Sequence, residues 1–527
     1  MGATAIRLAT TINYPLNLPR FVSCLPGSIV LQQVGKLCCE VAAPARPTSA
    51  GKLNAIDFMK QTTRPKAGLL ALTLELYETL LPDLRGSREA WLRRAVIPAL
   101  EQEADVFFTR AVFRREDIEA AVAEFEAAGA DALVVILTTY SPSQLALPAL
   151  LRTRLPIVIW NTQELGKVDE TFTLANMVDN HGVHGTQDLG NVLTRSGVRF
   201  HYVTSPDSDP AGLRELGDFL AAAAAVNRLR SARIGSLGYP FPGMGDFAVD
   251  TTHMAATLGC AWTNLTVEEY NHRAATAPAE EVARLVADYR QSYSVAPDLT
   301  EEDLVLTARA ELALRGMVAH HRLDALTYQF MAFGEDERTQ TLPFVAASRL
   351  MAEGIGFGGE GDLIAAAATA FFNWLKAPAS FSEIFTIDFE GDSLFLSHMG
   401  EANTAMARID LQISLVARPS PITRTRGRQL ALVTNFEPGP ATIAALTPGP
   451  GGRWRIIAAA GALEDYGPLP GFCVPHSKFK PSGDDVCRFL TAYAKAGGPH
   501  HNAVFFGDAR PRLRFAAELL GADYCEL

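Results

Sequence analysis

The sequence predicts an α/β protein with two doubly wound domains, each a parallel sheet covered by helices on both faces, followed by a β-rich C-terminal domain. Continuous apolar runs, typical of fully buried strands, alternate with amphipathic helical stretches in the first part of the chain. The same alternation starts again near Arg233, and after about residue 380 short strands punctuated by Gly, Pro and Asp replace it. A chain of 527 residues also needs several domains, because single cores stop growing near about 250–300 residues.

The N-terminal α/β domain is predicted over residues 64–230. Its strands are predicted at 66–74, 105–109, 133–137, 156–160 and 198–203. Its helices are predicted at 88–102, 115–128 and 145–152, and Gly129 is a suitable helix stop. Ligands of parallel sheets bind beyond the carboxyl ends of the strands.

The central α/β domain is predicted over residues 231–380. Its strands are predicted at 234–237 and 324–330, and a turn-rich segment at 239–247 follows the first of them. Its helices are predicted at 278–293, 301–320 and 342–353.

The β-rich domain is predicted over residues 381–527, as an antiparallel sandwich or barrel. Its strands are predicted at 385–389, 393–397, 407–416, 429–436, 441–446 and 453–459. Residues 1–63 mix Pro, Gly and Ser with two short apolar segments and show no sustained period, which predicts a poorly ordered extension. An arm that packs on a neighbour is the alternative.

Composition excludes several functions. A net charge of −11 argues against nucleic acid as a partner, because phosphate binding needs a basic surface. Seven scattered cysteines without a C-x-x-C pair argue against a disulfide framework and favour the reducing cytoplasm. No apolar run is long enough to span a membrane and the N-terminus does not resemble a secretion signal, so no membrane partner is expected.

The glycine-rich segment at 356–361 matches the spacing G-x-G-x-x-G. A dinucleotide-binding turn needs a preceding strand and a following helix, and here the preceding residues look helical, so nucleotide binding is disfavoured. Glu360 stands among these glycines with a carboxylate that neighbouring side chains do not shield. A solvated loop residue is the alternative interpretation of Glu360.

Other potential ligands stand at the ends of predicted elements. Glu335 and Glu337 follow the strand predicted at 324–330, His398 closes the strand at 393–397, and His500 and His501 precede an apolar run. Two carboxylates and two imidazoles are a suitable set for Mn²⁺, Co²⁺ or Fe²⁺. Sequence spacing does not establish that they converge. A single histidine is more often a surface or core residue than a ligand, and an acidic cluster is usually a solvated face.

A further histidine pair, His181 and His184, stands three residues apart, so both imidazoles can share one helix face. No Glu lies between them as in a zinc-protease helix, which favours hydrogen bonding to a substrate over metal binding. A pair of turn histidines is the alternative.

Several of these motifs resemble motifs of the L-arabinose isomerase family and follow one another along the chain in the same order as in that family. L-Fucose isomerase is a more distant relative. The resemblance runs from about Arg64 to the C-terminus, and residues 342–362 are its most specific part. The other matching motifs are Phe381-Ser-Glu-Ile, Ser397-His398-Met, Asn180-His-Gly-Val-His184-Gly and His500-His501.

The resemblance implies two Rossmann-like α/β domains, a β-rich C-terminal domain, Mn²⁺ or another divalent cation such as Co²⁺, and homo-oligomers with active sites at subunit interfaces. By position it implies Glu335, Glu360, His398 and one of His500 and His501 as metal ligands, with His501 favoured. Glu335 and Glu360 would also be the catalytic acid and base. Glu337 remains an alternative to Glu335.

The resemblance further implies that His184 reaches the sugar of a neighbouring subunit, and His181 is predicted to bind substrate beside it. The family's first strand ends in Gln-His-Leu-Tyr, of which this chain keeps only Leu76-Tyr77, with Leu74 and Glu75 in the first two places. This departure leaves the identity of the sugar open.

The function that these features predict is a cytoplasmic, metal-dependent aldose–ketose isomerase that acts on a pentose or 6-deoxyhexose through an enediol. The alternatives are a sugar-binding protein without catalysis and a metal-dependent sugar epimerase on the same scaffold.

Overall fold

The first sheet of the computed structural model, which describes residues 64–419 and 421–527, is parallel and five-stranded in the order β2-β1-β3-β4-β5. Its strands are β1 (Lys66–Leu72), β2 (Asp105–Phe107), β3 (Ala132–Leu137), β4 (Ile157–Asn161) and β5 (His201–Thr204). The extension predicted at residues 1–63 lies outside the described residues. β3 is buried along its whole length, as expected of a strand with helices on both faces.

Helices cover both faces of this sheet. They are α1 (Glu75–Leu80), α2 (Leu84–Trp91), α3 (Ile97–Leu100), α4 (Arg115–Ala127), α5 (Ser143–Arg152), α6 (Leu174–Asp179), α7 (Gly182–Arg195) and α8 (Pro210–Ser231), with a π-helical turn Leu92–Val96 between α2 and α3. Alternate residues of a strand face opposite sides. Val134 and Ile136 accordingly pack with α8, whereas Val135 and Leu137 pack with α4, α5 and α7.

The second sheet is also parallel, in the order β10-β9-β6-β7. Its strands are β6 (Arg233–Leu237), β7 (Ala261–Leu265), β9 (Ala325–Tyr328) and β10 (Gly356–Gly358), while the two-residue β8 (Ser294–Val295) pairs elsewhere. Its helices are α9 (Thr251–Leu258), α10 (Val267–Ala275), α11 (Ala279–Ser292), α12 (Glu301–His321), α13 (Phe330–Gly334), α14 (Phe344–Ala352) and α15 (Leu363–Leu375).

The C-terminal part contains a closed barrel in the order β15-β18-β11-β12-β17-β16, in which β16 pairs back onto β15 and all six strands are antiparallel to their neighbours. Its strands are β11 (Ala379–Asp388), β12 (Ser393–Ser397), β15 (Gly439–Pro448), β16 (Trp454–Leu463), β17 (His476–Pro481) and β18 (His501–Phe506). Leu396, Ile443, Phe479 and Val504 pack together in one buried core.

The remaining C-terminal elements lie around this barrel. β13 (Ser414–Ala417) and β14 (Leu430–Val433) form a three-stranded sheet with β8, and β19 (Asp523–Glu526) adds parallel to β16. The helices here are α16 (Val486–Lys495) and α17 (Arg510–Leu520), with 3₁₀ turns at Thr404–Met406 and Pro450–Gly452.

The predicted α/β architecture with two parallel sheets and a β-rich C-terminal part is confirmed, and the antiparallel part is a barrel. The finer prediction of two Rossmann-like domains stays a prediction, since the first sheet has the flavodoxin-like strand order. The predicted limits 64–230, 231–380 and 381–527 also stay predictions, because all described residues belong to one compact unit.

Three element predictions need correction. The strand predicted at 324–330 ends at Tyr328, because Gln329 caps helix α13 with its side chain. Of the strand predicted at 407–416, only residues 414–416 belong to a strand, β13, and Ala407 forms an isolated bridge with Phe436. The residues before the glycine run are helical as predicted (α14), but the run itself contains β10, so a strand does precede helix α15.

The glycines of β10 have a packing reason. A Cβ atom on Gly356 would lie 2.5 Å from the carbonyl oxygen of Ala366, and one on Gly358 would lie 2.5 Å from that of Asp362. Glycine therefore lets α15 pack directly against the strand. A three-residue strand made largely of glycine has no apolar alternation, which is why the pattern concealed it.

None of the helices in the described ranges combines the length and the apolar character that crossing a bilayer requires.

The barrel core gives a first prediction. Phe479→Ala removes a side chain that is fully buried in this core, and truncations of this kind cost about 3–5 kcal/mol. We expect a fall of several degrees in the thermal unfolding midpoint, measured by circular dichroism. Phe389→Ala is the control, because Phe389 is 68% exposed and its truncation should leave the midpoint unchanged. Equal effects of the two substitutions would contradict the barrel core.

Candidate metal centre

Strand register brings three potential ligands together at one end of the barrel. Glu383 on β11 pairs with Ser397 on β12 and with His501 on β18. Residues that pair directly across antiparallel strands project from the same face. His398 is the first residue after β12, and its imidazole turns to the same side, so that ligand atoms of Glu383, His398 and His501 lie within 4.8 Å of one another.

The fourth potential ligand, Glu360, comes from the second parallel sheet. It lies in the turn between β10 and α15, where the Phe241 amide and the Gln329 side chain both donate hydrogen bonds to its carbonyl oxygen. Its φ is +60°, a left-handed conformation that costs free energy in a residue other than glycine. Backbone strain of this kind clusters at functional sites.

The described residues contain two overlapping groups whose ligand atoms lie within 4.8 Å of one another. One consists of Glu360, His500 and His501, and the other of Glu383, His398 and His501. The Nε2 atoms of His500 and His501 each lie 3.8 Å from Oε2 of Glu360. His501 belongs to both groups and is therefore their common member.

Each imidazole is hydrogen-bonded to a carboxylate through Nδ1, the nitrogen that does not face the other ligands. The Nδ1 atom of His398 lies 2.7 Å from Glu401, that of His501 lies 2.9 Å from Asp362, and that of His500 lies 2.5 Å from Asp246. Because a carboxylate accepts, Nδ1 is the donor in each pair, and in the neutral form of the ring Nε2 is then the free acceptor. Carboxylates bound to the remote nitrogen in this way are the usual support of metal-binding histidines.

The three Nε2 atoms have no hydrogen-bond partner among the described residues, although all three are buried. Buried polar atoms are almost always paired, so three orphaned acceptors around two carboxylates fit a bound cation. Two carboxylates with imidazole nitrogens are suited to Mn²⁺, Co²⁺ or Fe²⁺.

Aromatic and glycine packing fixes the rings. Phe381 is 1% exposed and makes edge contacts with the rings of His398 and His501, at centroid distances of 4.7 and 4.9 Å. Phe247 stacks on His501 at 5.6 Å. A Cβ atom on Gly359 would lie 2.8 Å from Nε2 of His398, so only glycine leaves this nitrogen open.

The electrostatics of the centre favour positive charge. Burial opposes ionisation of Glu360, but the facing His500 and then His398 and His501 hold the pKa of Glu360 below its ordinary value. Burial also opposes the imidazolium forms, yet Glu360 and Asp246 raise the pKa of His500 to about 9, and Glu401 raises the pKa of His398. The centre therefore stabilises positive charge, either as a proton on an imidazole or as a bound cation that takes the proton's place.

Of the predicted ligands, Glu360, His398 and His501 lie in these two groups. Glu335 belongs to neither group. Its carboxylate is exposed and accepts a 2.6 Å hydrogen bond from the hydroxyl of Tyr239. The carbonyl oxygen of Tyr239 in turn lies close to the backbone of Gly361, where a Cβ atom would clash with it. Its role as a ligand stays a prediction.

Sequence reasoning missed Glu383 and the three supporting carboxylates. Glu383 stands in the motif Phe381-Ser-Glu-Ile, which carries part of the family resemblance, but it precedes the strand predicted at 385–389 and nothing in the local pattern marks it as a ligand. Only the strand register shows that it faces His501.

The predicted substrate histidines lie at the carboxyl edge of the first sheet. His181 precedes α7 and its Nε2 lies 2.8 Å from the Tyr77 hydroxyl, whereas His184 is exposed and stacks on Tyr140 at 5.0 Å. The two imidazoles lie 5.3 Å apart. Neither histidine belongs to the ligand groups found in the described part of the chain.

Comparison with known proteins agrees with this arrangement. The family model of the L-arabinose isomerase central domain matches residues 243–377, and that of the L-arabinose isomerase C-terminal domain matches residues 378–523. The two matches cover β7, β9 and β10 of the second sheet and all six strands of the barrel, and they include every residue of the two ligand groups.

Curated relatives match over most of their length. An L-arabinose isomerase from Acidothermus cellulolyticus is 30% identical, over 76% of this chain and 81% of the relative. One from Arthrobacter sp. is 27% identical over 72% and 76%, and one from Geobacillus kaustophilus is 27% identical over 82% and 87%. A solved periplasmic solute-binding protein from Actinobacillus succinogenes with bound D-allose covers 59% of this chain and 91% of its own, at 12% identity and a TM-score of 0.14, too low to support a structural argument.

These relatives, together with a closed ligand cluster between a parallel sheet and a barrel, define the class as a sugar isomerase that interconverts an aldose and a ketose. The chain belongs to the L-arabinose isomerase family.

The centre gives a second prediction. Gly359→Ala places a methyl group against Nε2 of His398, so we expect Mn²⁺ binding to weaken by at least about 10-fold, the scale at which disturbed metal sites respond. Isothermal titration of metal-free protein measures this. Gly467→Ala is the control, because nothing lies within 4 Å of its added Cβ. Unchanged Mn²⁺ affinity in the Gly359 variant would show that His398 is not a ligand.

Proposed function

We propose that this chain is a metal-dependent aldose–ketose isomerase that acts on a pentose or 6-deoxyhexose, an L-arabinose-like sugar, through an enediol. The observation that carries the proposal is the convergence of three orphaned imidazole nitrogens on two carboxylates. A centre built only to bind a neutral sugar has no need of this set.

The proposed ligands are Glu360, Glu383, His398 and His501, with Glu383 in the place expected for Glu335. His501 is preferred to His500 because it belongs to both groups and is 2% exposed. Mn²⁺ is the proposed cation, with Co²⁺ as a substitute. When bound, such a cation supplies Lewis-acid stabilisation of the negative charge that develops on the oxygens of C1 and C2.

The carboxylates perform the proton transfers. The reaction removes the proton of C2, forms the enediol, and returns a proton to C1 while another proton passes from O2 to O1. One of Glu360 and Glu383 takes the carbon-bound proton and returns it, and the other moves the proton between the two oxygens. The neighbouring imidazoles keep the pKa of Glu360 low, so Glu360 enters the reaction ionised and able to accept a proton.

The first sheet is proposed to complete the site of another subunit in a homo-oligomer. His184 and Tyr140 stand at its carboxyl edge, where parallel sheets bind ligands. Large apolar side chains are exposed around this edge, namely Leu76, Leu80, Leu81, Leu174, Met177 and Val183. Exposed apolar surface of this kind marks protein interfaces. His181, 2.8 Å from Tyr77, is proposed to hold the sugar beside His184.

The net charge and the scattered cysteines support a cytoplasmic protein without a nucleic-acid partner. An epimerase would share the enediol, so only the product distinguishes it: a ketose supports isomerisation, whereas an epimeric aldose does not.

The third prediction tests the choice of acid. Wild-type protein with Mn²⁺ is offered pentoses and 6-deoxyhexoses, and ketose formation is followed. Glu383→Gln should lower turnover by about 10²–10⁴-fold, the usual contribution of an acid or base. Glu335→Gln is the matched comparison, and we expect it to lose less than about 10-fold. The reverse order of these losses would restore Glu335 as the catalytic acid, and absence of any ketose would refute the isomerase.

The fourth prediction tests the shared site. Glu360→Gln and His184→Gln should each be inactive, since one removes a proposed base and the other a contact from the neighbouring subunit. Unfolding and refolding the two variants together should restore part of the activity, because mixed oligomers contain some sites with both residues intact. Refolding each variant alone is the control. No recovery in the mixture, with oligomers of normal size, would place His184 and Glu360 in the same subunit's site.

A further inference from the structure

A buried tyrosine is linked to the metal centre through Glu401. Tyr328 is the last residue of β9, and its hydroxyl donates a hydrogen bond to Oε1 of Glu401. The other carboxylate oxygen of Glu401 accepts the Nδ1 hydrogen of His398 at 2.7 Å. All three side chains are less than 5% exposed.

The direction of these hydrogen bonds follows from their environment. Burial, and then the neighbouring Glu401, raise the pKa of Tyr328 well above its ordinary value, so the phenol stays protonated and acts as the donor. Glu401 therefore accepts from both sides, and its plane is fixed by two hydrogen bonds in a buried environment, where such bonds are stronger than at the surface. A carboxylate fixed in this way fixes the His398 ring in turn.

We propose that Tyr328 is a positioning residue of the metal centre, which acts through Glu401 to hold His398 with its Nε2 atom aimed at the cation. The proposal rests on the proposed function in one respect, namely that the centre binds a divalent cation. Within the described residues, the hydrogen bond and the ring contacts of the Tyr328 side chain are with Glu401, Phe333 and Phe357 and with no proposed ligand, so its effect is on metal affinity and not on proton transfer.

A purely structural role is the competing explanation, because Tyr328 also packs on Phe333 and Phe357 in the core of the central region. The chain offers a matched control in Tyr270. It is 1% exposed, packs on Phe333 at 4.9 Å, and donates its hydroxyl to the carbonyl oxygen of Thr341 at 2.9 Å. Loss of this hydroxyl removes a buried hydrogen bond that does not lead to the centre.

The experiment compares metal-free full-length wild type, Tyr328→Phe and Tyr270→Phe, with Mn²⁺ titrated in and free Mn²⁺ followed by electron paramagnetic resonance. The dissociation constant should rise about 10–100-fold in Tyr328→Phe, as for other residues that orient metal ligands. It should change less than about 2-fold in Tyr270→Phe. The thermal midpoints of the metal-free variants should fall by similar amounts.

Equal Mn²⁺ affinity in wild type and Tyr328→Phe, or an equal loss in both tyrosine variants, would overturn the proposal. If Tyr328→Phe does not fold, Glu401→Gln serves instead. Its amide keeps one acceptor for His398 but faces Tyr328 with a donor, and unchanged affinity there would equally overturn the proposal. Wild type that binds Mn²⁺ but forms no ketose would refute the proposed function and leave this inference standing, whereas wild type that binds no Mn²⁺ would overturn the inference.

Discussion

The pairing of each imidazole with a carboxylate is the interaction on which the centre depends. A neutral histidine whose Nδ1 hydrogen is bound presents an unprotonated Nε2, and here the Nε2 atoms of three histidines are buried beside Glu360 and Glu383 without partners in the described chain. Leaving buried polar atoms unpaired costs stability. Three unpaired nitrogens in one small region, together with the left-handed backbone of Glu360, therefore lower the stability of the folded protein at this centre.

The same imidazole–carboxylate pairs connect the metal centre to helix α15 and strand β9. Asp362 holds His501 with one carboxylate oxygen and caps α15 with the other, through the amide of Ala365. Glu401 links His398 on the barrel to Tyr328 at the end of β9. Ligands from the barrel and from the parallel sheet are thus fixed to each other by hydrogen bonds between the two parts. A cation that binds all of them would reinforce a junction that already exists.

Much of the fold could be predicted from the sequence, because its signals are local. Buried strands such as β3 are continuous apolar runs, and helices such as α4 carry their own period and stop signal. The sequence pattern did not reveal β10, because its glycines are required by the close approach of the α15 backbone and do not follow a hydrophobic period. It also concealed the extent of β11, which begins before the predicted strand, so that Glu383 was not recognised as part of it.

The site could be predicted only in part, for a related reason. Glu360, His398 and the histidine pair were visible as ligands at element ends, and the family resemblance joined them. Glu335 looked equally suitable, since it follows a strand in the same sheet. The decision between Glu335 and Glu383 depends on the antiparallel register of β11 with β18, a long-range pairing that no local pattern contains. The carboxylates of Asp246, Asp362 and Glu401, which bind the Nδ1 atoms of the imidazoles, are likewise positioned by tertiary packing.

Anomalous diffraction from crystals grown with Mn²⁺ tests the central claim most directly, because it locates the metal without reference to activity. The account predicts one strong Mn²⁺ peak per chain, within bonding distance of Glu360, Glu383, His398 and His501. A peak bound by Glu335 and not by Glu383, or no peak among the three imidazoles, would contradict it.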